Sequence, residues 1–286
     1  RADVAVCVGT GLGELGNTYA FLENMVRNDE EQPKPAAFIN SVHNAIAGQL
    51  AIHLGCKGEN HTFLNEACSF ESALWQGIHL LNSGRAKTVL VCGVDELNGY
   101  TIGAERGLGN YRHSNTPLNP LSSNESGTLP GEGAAAFVLT ANTSTNGLRI
   151  ATRFRPLQRR DPANIDEQIR AIEVSIEKSG LTFENIDFML FNADGDAPHD
   201  AHYAQLRVAI DGKLNHPMPC AVFKHATGDC HAASAIGVEL CCHVVQQGRH
   251  ADTIRWLTDF PPTSARAGVF YNLTRTGISA VTVVST

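Results

Sequence analysis

The chain predicts an α/β layered fold made of two similar halves, residues 1–150 and 151–286. Short apolar runs of strand length alternate with longer runs of helical periodicity. The alternation occurs twice along the chain, which places helices on the faces of sheets rather than in a separate bundle. A long stretch rich in Gly, Asn, Ser and Pro, residues 101–130, reads as an irregular excursion of the functional-loop kind.

Val4 to Val8 reads as a short buried strand, followed by a glycine-rich turn and a helix near Asn17 to Val26. Asn28 to Pro35 is polar and holds two prolines, so a loop is expected. Ala45 to Leu54 has helical spacing, and Thr62 to Leu64 suggests a strand. Phe70, Ala73, Leu74, Ile78 and Leu81 repeat as one helical face, and Gly84 ends that helix. Thr88 to Cys92 and Ala134 to Leu139 are apolar strand runs. In the second half, Ile165 to Ser179 is an amphipathic helix ending at Gly180, and Ile186 to Phe191 a strand. Ala232 to Gln246 is a largely apolar helix, and Gly268 to Asn272 and Ser279 to Val284 are strands.

Composition narrows the function classes. With 43% hydrophobic and 18% charged residues, the chain is of ordinary globular type. No apolar run approaches the roughly eighteen residues of a membrane span, and the start, Arg1-Ala2-Asp3-Val4, lacks a signal-peptide pattern. The net charge is −7 and the basic residues are scattered, which argues against nucleic acid as a partner. The densest basic run, Arg153 to Arg160, reads as a solvated face, with a docking patch for an acidic carrier protein as the sharper alternative. Eight cysteines show neither zinc-ribbon spacing nor a disulfide framework, so a reducing, cytoplasmic setting is expected.

Three constellations carry chemistry. Gly11-Leu12-Gly13-Glu14-Leu15-Gly16 satisfies the dinucleotide fingerprint G-x-G-x-x-G. The required second strand with its ribose-binding acid does not follow, so a tight turn that lets backbones approach is the better reading, and no cofactor is expected. Ala67-Cys68-Ser69 opens a helix, where the dipole and free N–H groups favour a thiolate and can receive an oxyanion; a small buried cysteine is the bland alternative. Asp194-Gly195-Asp196-Ala197-Pro198-His199-Asp200-Ala201-His202 is dense in oxygen and imidazole ligands. It forms neither a complete calcium loop nor H-E-x-x-H, so a polar loop facing a cleft is expected and no metal.

Taken together these pieces resemble the β-ketoacyl-acyl-carrier-protein synthases. Gly9-Thr10-Gly11-Leu12-Gly13 resembles their early G-T-G-x-G turn, and Asn44-Ala45-Ile46-Ala47-Gly48-Gln49 their N-x-A-A-G-Q helix start. Ala67-Cys68-Ser69 falls at the nucleophile segment, Val91 to Glu96 at the strand and turn after it, and Gly131-Glu132-Gly133-Ala134 at a G-E-G-A. Ser41 to Gln49 and Ser69 to Leu74 are similar to a divergent subgroup from aryl-polyene and flexirubin-type pigment pathways, which includes chain-length-factor partners of true synthases. The resemblance implies a thiolase-like αβαβα fold, with the family's first strand and helix missing a counterpart here. It also implies an acyl carrier protein as partner, and a homodimer or a heterodimer with a ketosynthase. Such pairing runs through a sheet-edge strand, expected at Thr88 to Cys92 or a neighbour.

Departures from the family pattern fall on its catalytic centre. The first histidine opens an H-G-T-x-T loop with an aspartate eight residues on; matching that offset to Asp200 puts Asn192 in the histidine position. The second histidine follows K-x-x-x-G, whereas Lys224-His225-Ala226-Thr227-Gly228 is followed by Asp229. The G-F-G-G gate is reduced to Arg275-Thr276-Gly277-Ile278, so Lys224, Thr276 and Gly277 are the expected substrate-binding residues beside Cys68, Asn192 and Asp229. In the family, the cysteine accepts an acyl chain as a thioester and two histidines stabilise the enolate formed on decarboxylation. An ionised Asp229 opposes both charges. Two readings follow: an atypical acyltransferase using Cys68, helped by His43, His225 or His231, or a non-catalytic chain-length-factor-like subunit.

Overall fold

The computed structural model describes residues 3–31, 33–141, 147–156, 164–248 and 252–286. Arg1, Ala2, Arg159 and Arg160 lie outside the described residues, so the basic run Arg153 to Arg160 is only partly placed.

The elements follow in chain order. The first half holds β1 (Val4–Gly9), α1 (Leu15–Arg27), α2 (Pro35–Ser41), α3 (Ala45–Leu54) and β2 (Asn60–Phe63). It continues with α4 (Ser69–Asn82), β3 (Thr88–Asp95), α5 (Gly99–Gly107) and β4 (Gly133–Thr140). The second half holds β5 (Arg149–Pro156), α6 (Ile165–Lys178), β6 (Phe188–Phe191), α7 (Ala197–Leu214), β7 (Cys220–Val222) and α8 (Lys224–Thr227). It closes with α9 (Ala233–Gln247), β8 (Arg255–Trp256), β9 (Ala267–Leu273) and β10 (Ile278–Ser285).

Two sheets form, in the orders β2-β1-β3-β4 and β5-β10-β9-β6-β7-β8. In the first, β1 is parallel to β2 and β3, while β4 runs antiparallel to β3. In the second, β6 is parallel to β7 and β9, while β10 runs antiparallel to β9. The same order and directions therefore recur, β2-β1-β3-β4 against β7-β6-β9-β10. Helices α4 and α9 pack between the sheets, and their apolar faces join Val89, Val91, Phe223 and Phe270 in one core. Helices α6 and α7 cover the outer face of the second sheet, and α3 the outer face of the first. That layering is αβαβα, the thiolase-like arrangement.

Local sequence accounts for the elements that position the site. Helix α6 buries Ile169, Ile172 and Ile176 along one stripe, the Asn164 side chain accepts from the Glu167 N–H at its start, and Gly180 at φ 78° follows its end. The turn after β1 needs glycine, since a Cβ on Gly9 would stand 2.4 Å from the Ser69 carbonyl. After α1 comes a second helix, α2, with no intervening strand, so the dinucleotide reading has no structural basis.

Three expectations need correction and a fourth is narrowed. The stretch expected to be irregular from residue 101 begins inside α5, capped by the Asn98 side chain. Pro35 does not end the loop but starts α2, where its missing N–H is no loss. The run read as a polar loop, Asp194 to His202, becomes the first turn of α7 from Ala197 on; buried His199 and Asp200 there obscured a stripe continuing through Tyr203, Leu206 and Ile210. Finally, of the expected edge at Thr88 to Cys92 or a neighbour, the neighbour holds: β3 is paired on both sides, and the first sheet ends at β2 and β4. Among the described residues, no helix is long and apolar enough to cross a membrane.

Candidate active site

Where the two halves meet, Asp95 at the end of β3 acts as a hub. Its carboxylate accepts from the Thr10 hydroxyl, the Gly11 N–H and the Ala232 N–H that opens α9. The G-T-G turn, β3 and α9 are thereby held in one frame, and burial raises the Asp95 carboxyl from its ordinary value.

Cys68 is the residue immediately before α4, so the expected helix N-terminus is where it stands. Its environment is not the expected one. The side chain is fully buried, and the thiol is pushed well up, first by burial and then by the carboxylates of Glu71 and Glu66. The direction is opposite to the lowered pKa expected for a helix N-terminus. Asn272 on β9 caps the group: its Nδ2 lies 3.7 Å from Cys68 Sγ, 2.7 Å from the Ala67 carbonyl and 2.7 Å from Glu71 Oε1. Asn192 in turn donates to Asn272 Oδ1 at 2.7 Å. Glu71 also accepts from Ser234 on α9 at 2.8 Å, and its complete burial lifts its carboxyl to about 7.

A cleft of about 520 Å³ opens beside this network. Asn192, Asp194, Lys224, Asp229, Thr276 and Arg275 line it, as do Glu66 and Ala67, but Cys68 does not. Lys224 is buried and pairs with Asp229 at 2.5 Å. Arg275 binds Asp194 at 2.6 Å and also Asp196. Thr276 donates to Glu66 at 2.6 Å, tying the turn between β9 and β10 to the segment before Cys68. Gly277, at φ 91°, forms that turn without lining the cleft. A larger hollow of about 600 Å³ under Trp75, between α4, β5 and α6, holds none of the motif residues.

Asp229 is fixed by its backbone as well. Its N–H and carbonyl pair with Leu129 and Gly131, and the Tyr111 hydroxyl donates to the same carbonyl. This contact explains the glycine of the G-E-G-A run, because a Cβ on Gly131 would meet the Thr227 carbonyl at 2.1 Å. Of His43, His225 and His231, only His231 lines the cleft. Its Nε2 lies 3.3 Å from Glu105; burial works against its charge, but Glu105, Asp95 and Asp229 outweigh that and raise its pKa.

Asp194, named in the sequence reading only as part of a polar loop, lines the cleft and pairs with Arg275, and two further site residues escaped that reading. Glu71 had a signal, an acid one helical turn after the cysteine on an otherwise apolar face. Asn272 had none, since only the pairing of β9 brings it over α4.

Comparison with known proteins agrees with the architecture. The sequence model described as "Beta-ketoacyl synthase, N-terminal domain" matches residues 1–144. No curated protein matches the chain. Among solved structures, the ishigamide ketosynthase/chain length factor is 19% identical, with a TM-score of 0.80 over 100% of this chain and 76% of that one. AntDE:AntF, a type II PKS acyl-carrier protein in complex with its ketosynthase bound to the hexaketide, is 16% identical, with a TM-score of 0.80 over 99% and 78%. The ketosynthase ApeO in complex with its chain length factor ApeC, from Xenorhabdus doucetiae, is 19% identical, with a TM-score of 0.77 over 100% and 75%.

Proposed function

This chain belongs to the β-ketoacyl synthase family, and on that premise we propose that it is a chain-length-factor-like subunit that does not itself carry out decarboxylative condensation. What supports this reading is the cleft wall, where Asp229, which the resemblance sets in the place of the family's second histidine, and Asp194 are both ion-paired carboxylates. Neither is a donor when ionised, and each lost oxyanion donor is worth on the order of 3 kcal/mol of transition-state stabilisation. Asn192, which the resemblance sets in the place of the first histidine, spends an N–H on Asn272. The partner would be an active ketosynthase loaded by an acyl carrier protein, and the setting the cytoplasm; ketosynthase/chain-length-factor assemblies share this fold. The mixed pair is expected to bury more than about 1,000 Å², with β2 and β4 the edges free to pair in the first sheet.

The deciding measurement is carbon dioxide release from malonyl-carrier by the purified chain, compared with the same assay on its co-expressed ketosynthase complex. The chain alone is expected to be silent and the complex active, with Cys68→Ala leaving the complex unchanged. Turnover by the chain alone defeats the proposal.

A second reading, acyl transfer through Cys68, is favoured by one observation: the thiol is retained at the head of α4. It requires Asn272 to move aside. Intact-protein mass spectrometry after incubation with an acyl-carrier thioester distinguishes the readings, since an acyl group on Cys68 supports this one alone.

A further inference from the structure

We propose that the hollow between α4, β5 and α6 binds an amphipathic carboxylate, one anionic head group on an apolar body. The hollow shares no lining residue with the cleft, so this site stands whether the chain is catalytic or not.

Its volume, about 600 Å³, falls in the range of small-molecule pockets. The walls are apolar: Trp75 and Ile78 from α4, Val174 from α6, Phe154 from β5 and Val281 from β10. Hydroxyls along the floor already face partners within the protein. Thr152 bonds Thr282 at 2.9 Å, Ser175 donates to the Ala171 carbonyl at 2.7 Å, and Ser279 bonds Tyr271. The floor therefore suits an apolar body rather than a head group. At the mouth Trp75 is 48% exposed and Val174 39%. The indole is fixed there by stacking on His79, with centroids 5.7 Å apart and planes 6° from parallel. Large apolar side chains held in an open position gain most from a ligand that covers them.

Charge selects the ligand. Arg153 on β5 and Arg170 and Lys178 on α6 line the hollow, and no carboxylate does. Acids outnumber bases in the chain, 29 to 22, yet none of these three cations makes an ion pair among the described residues. Arg170, Val174 and Lys178 recur at four-residue spacing, so both α6 cations and the exposed valine share one face. Glu173, three residues after Arg170, is drawn instead to Lys213 on α7. A carboxylate matches the planar fork of arginine. Held at the mouth, it keeps part of its hydration, so desolvation does not cancel the attraction.

Trp75 reports on the site directly. The other tryptophan, Trp256, lies on β8 at the opposite edge of the sheet, and Trp256→Phe removes its background. Octanoate is titrated against the fluorescence of this variant and, by calorimetry, against the wild-type chain, with 1-octanol as the uncharged control. Octanoate should bind saturably and shift Trp75 emission to the blue, with octanol at least about tenfold weaker. The double variant Arg170→Gln, Lys178→Gln changes two exposed positions and keeps the fold, and it should weaken octanoate alone. Added salt should do the same in the wild-type chain. Equal affinity for octanol, indifference to salt and to the double substitution, or no response from Trp75 overturns the site and leaves an apolar patch only. An affinity for octanoate that falls as protein concentration rises overturns it as well, because a second copy of the chain then covers the hollow.

Discussion

The two sheets repeat one strand order, yet their fourth strands live in different surroundings. In the second half, β10 pairs with β9 on one side and with β5 on the other, and its central residues are all buried. In the first half, β4 pairs with β3 alone, and every second residue along it is exposed, Val138 at 71%. The outer faces differ likewise. Helices α6 and α7 place Ile169, Ile172, Ile176, Tyr203, Leu206 and Ile210 over the second sheet. Over the first sheet the buried outer cluster is only Val6, Val8, Ala47 and Cys92, and α1 to α3 leave Leu22, Val26, Phe38, Ile39 and Ile52 exposed. Strand order alone therefore does not make a core. A strand is buried on both faces only where helices and a flanking strand cover it, and stability concentrates there.

The sharpest way to break this comparison is to cut a fully buried side chain from the second half. Phe270 on β9 is fully buried against Phe223, with Gly237 kept bare to admit its ring. Phe270→Ala is expected to cost about 3–5 kcal/mol in denaturant unfolding. A loss below 1 kcal/mol would mean that the second half is not the stability core.

Glu71 tests the seam between the halves. Its carboxyl stands at about 7 in the fold against 4.5 as its ordinary value, so between those values the folded protein holds a proton that the unfolded chain has released. Stability contributed by this group is thus intact below about pH 4.5, falls as pH rises, and is fully lost above about 7. Glu71→Gln should abolish that loss and stabilise the protein at pH 8, by at most about 3 kcal/mol. Equal unfolding midpoints for the two proteins at pH 5 and pH 8 would place the Glu71 proton elsewhere.

Thiol labelling reads the same seam from the other side. Cys56, half-exposed after α3, should react with limiting iodoacetamide first, and Cys68 at least about 100-fold more slowly, because Asn272 and burial keep it neutral. If Cys68 reacts first, the Asn272 cap opens in solution and the acyl-acceptor reading gains. The smallest effect belongs to the uncovered edge: Val138→Thr on β4 should change unfolding free energy by less than about 0.5 kcal/mol. A larger loss would show that this edge is covered in the protein under assay.

The sequence by itself determined the strand and helix alternation, the position of Cys68 at the head of a helix, and the family, because these rest on periodicity and on short contiguous motifs. Helix α3, Ala45–Leu54, was legible to the residue, since its apolar spacing and terminal glycine are local signals. The tertiary structure alone decided what those residues can do. Asn272 stands 204 positions from Cys68 and caps it only because β9 crosses above α4. The state of a thiol or carboxyl follows from burial and from neighbours brought by distant segments, and neither is written in local spacing. For the same reason His199 and Asp200 read as part of a polar loop until α7 took them into its first turn, and only strand pairing shows that the edge beside Thr88 to Cys92 is β4. A strand's rank in a sheet is set by its hydrogen-bonded neighbours, which an apolar run does not name.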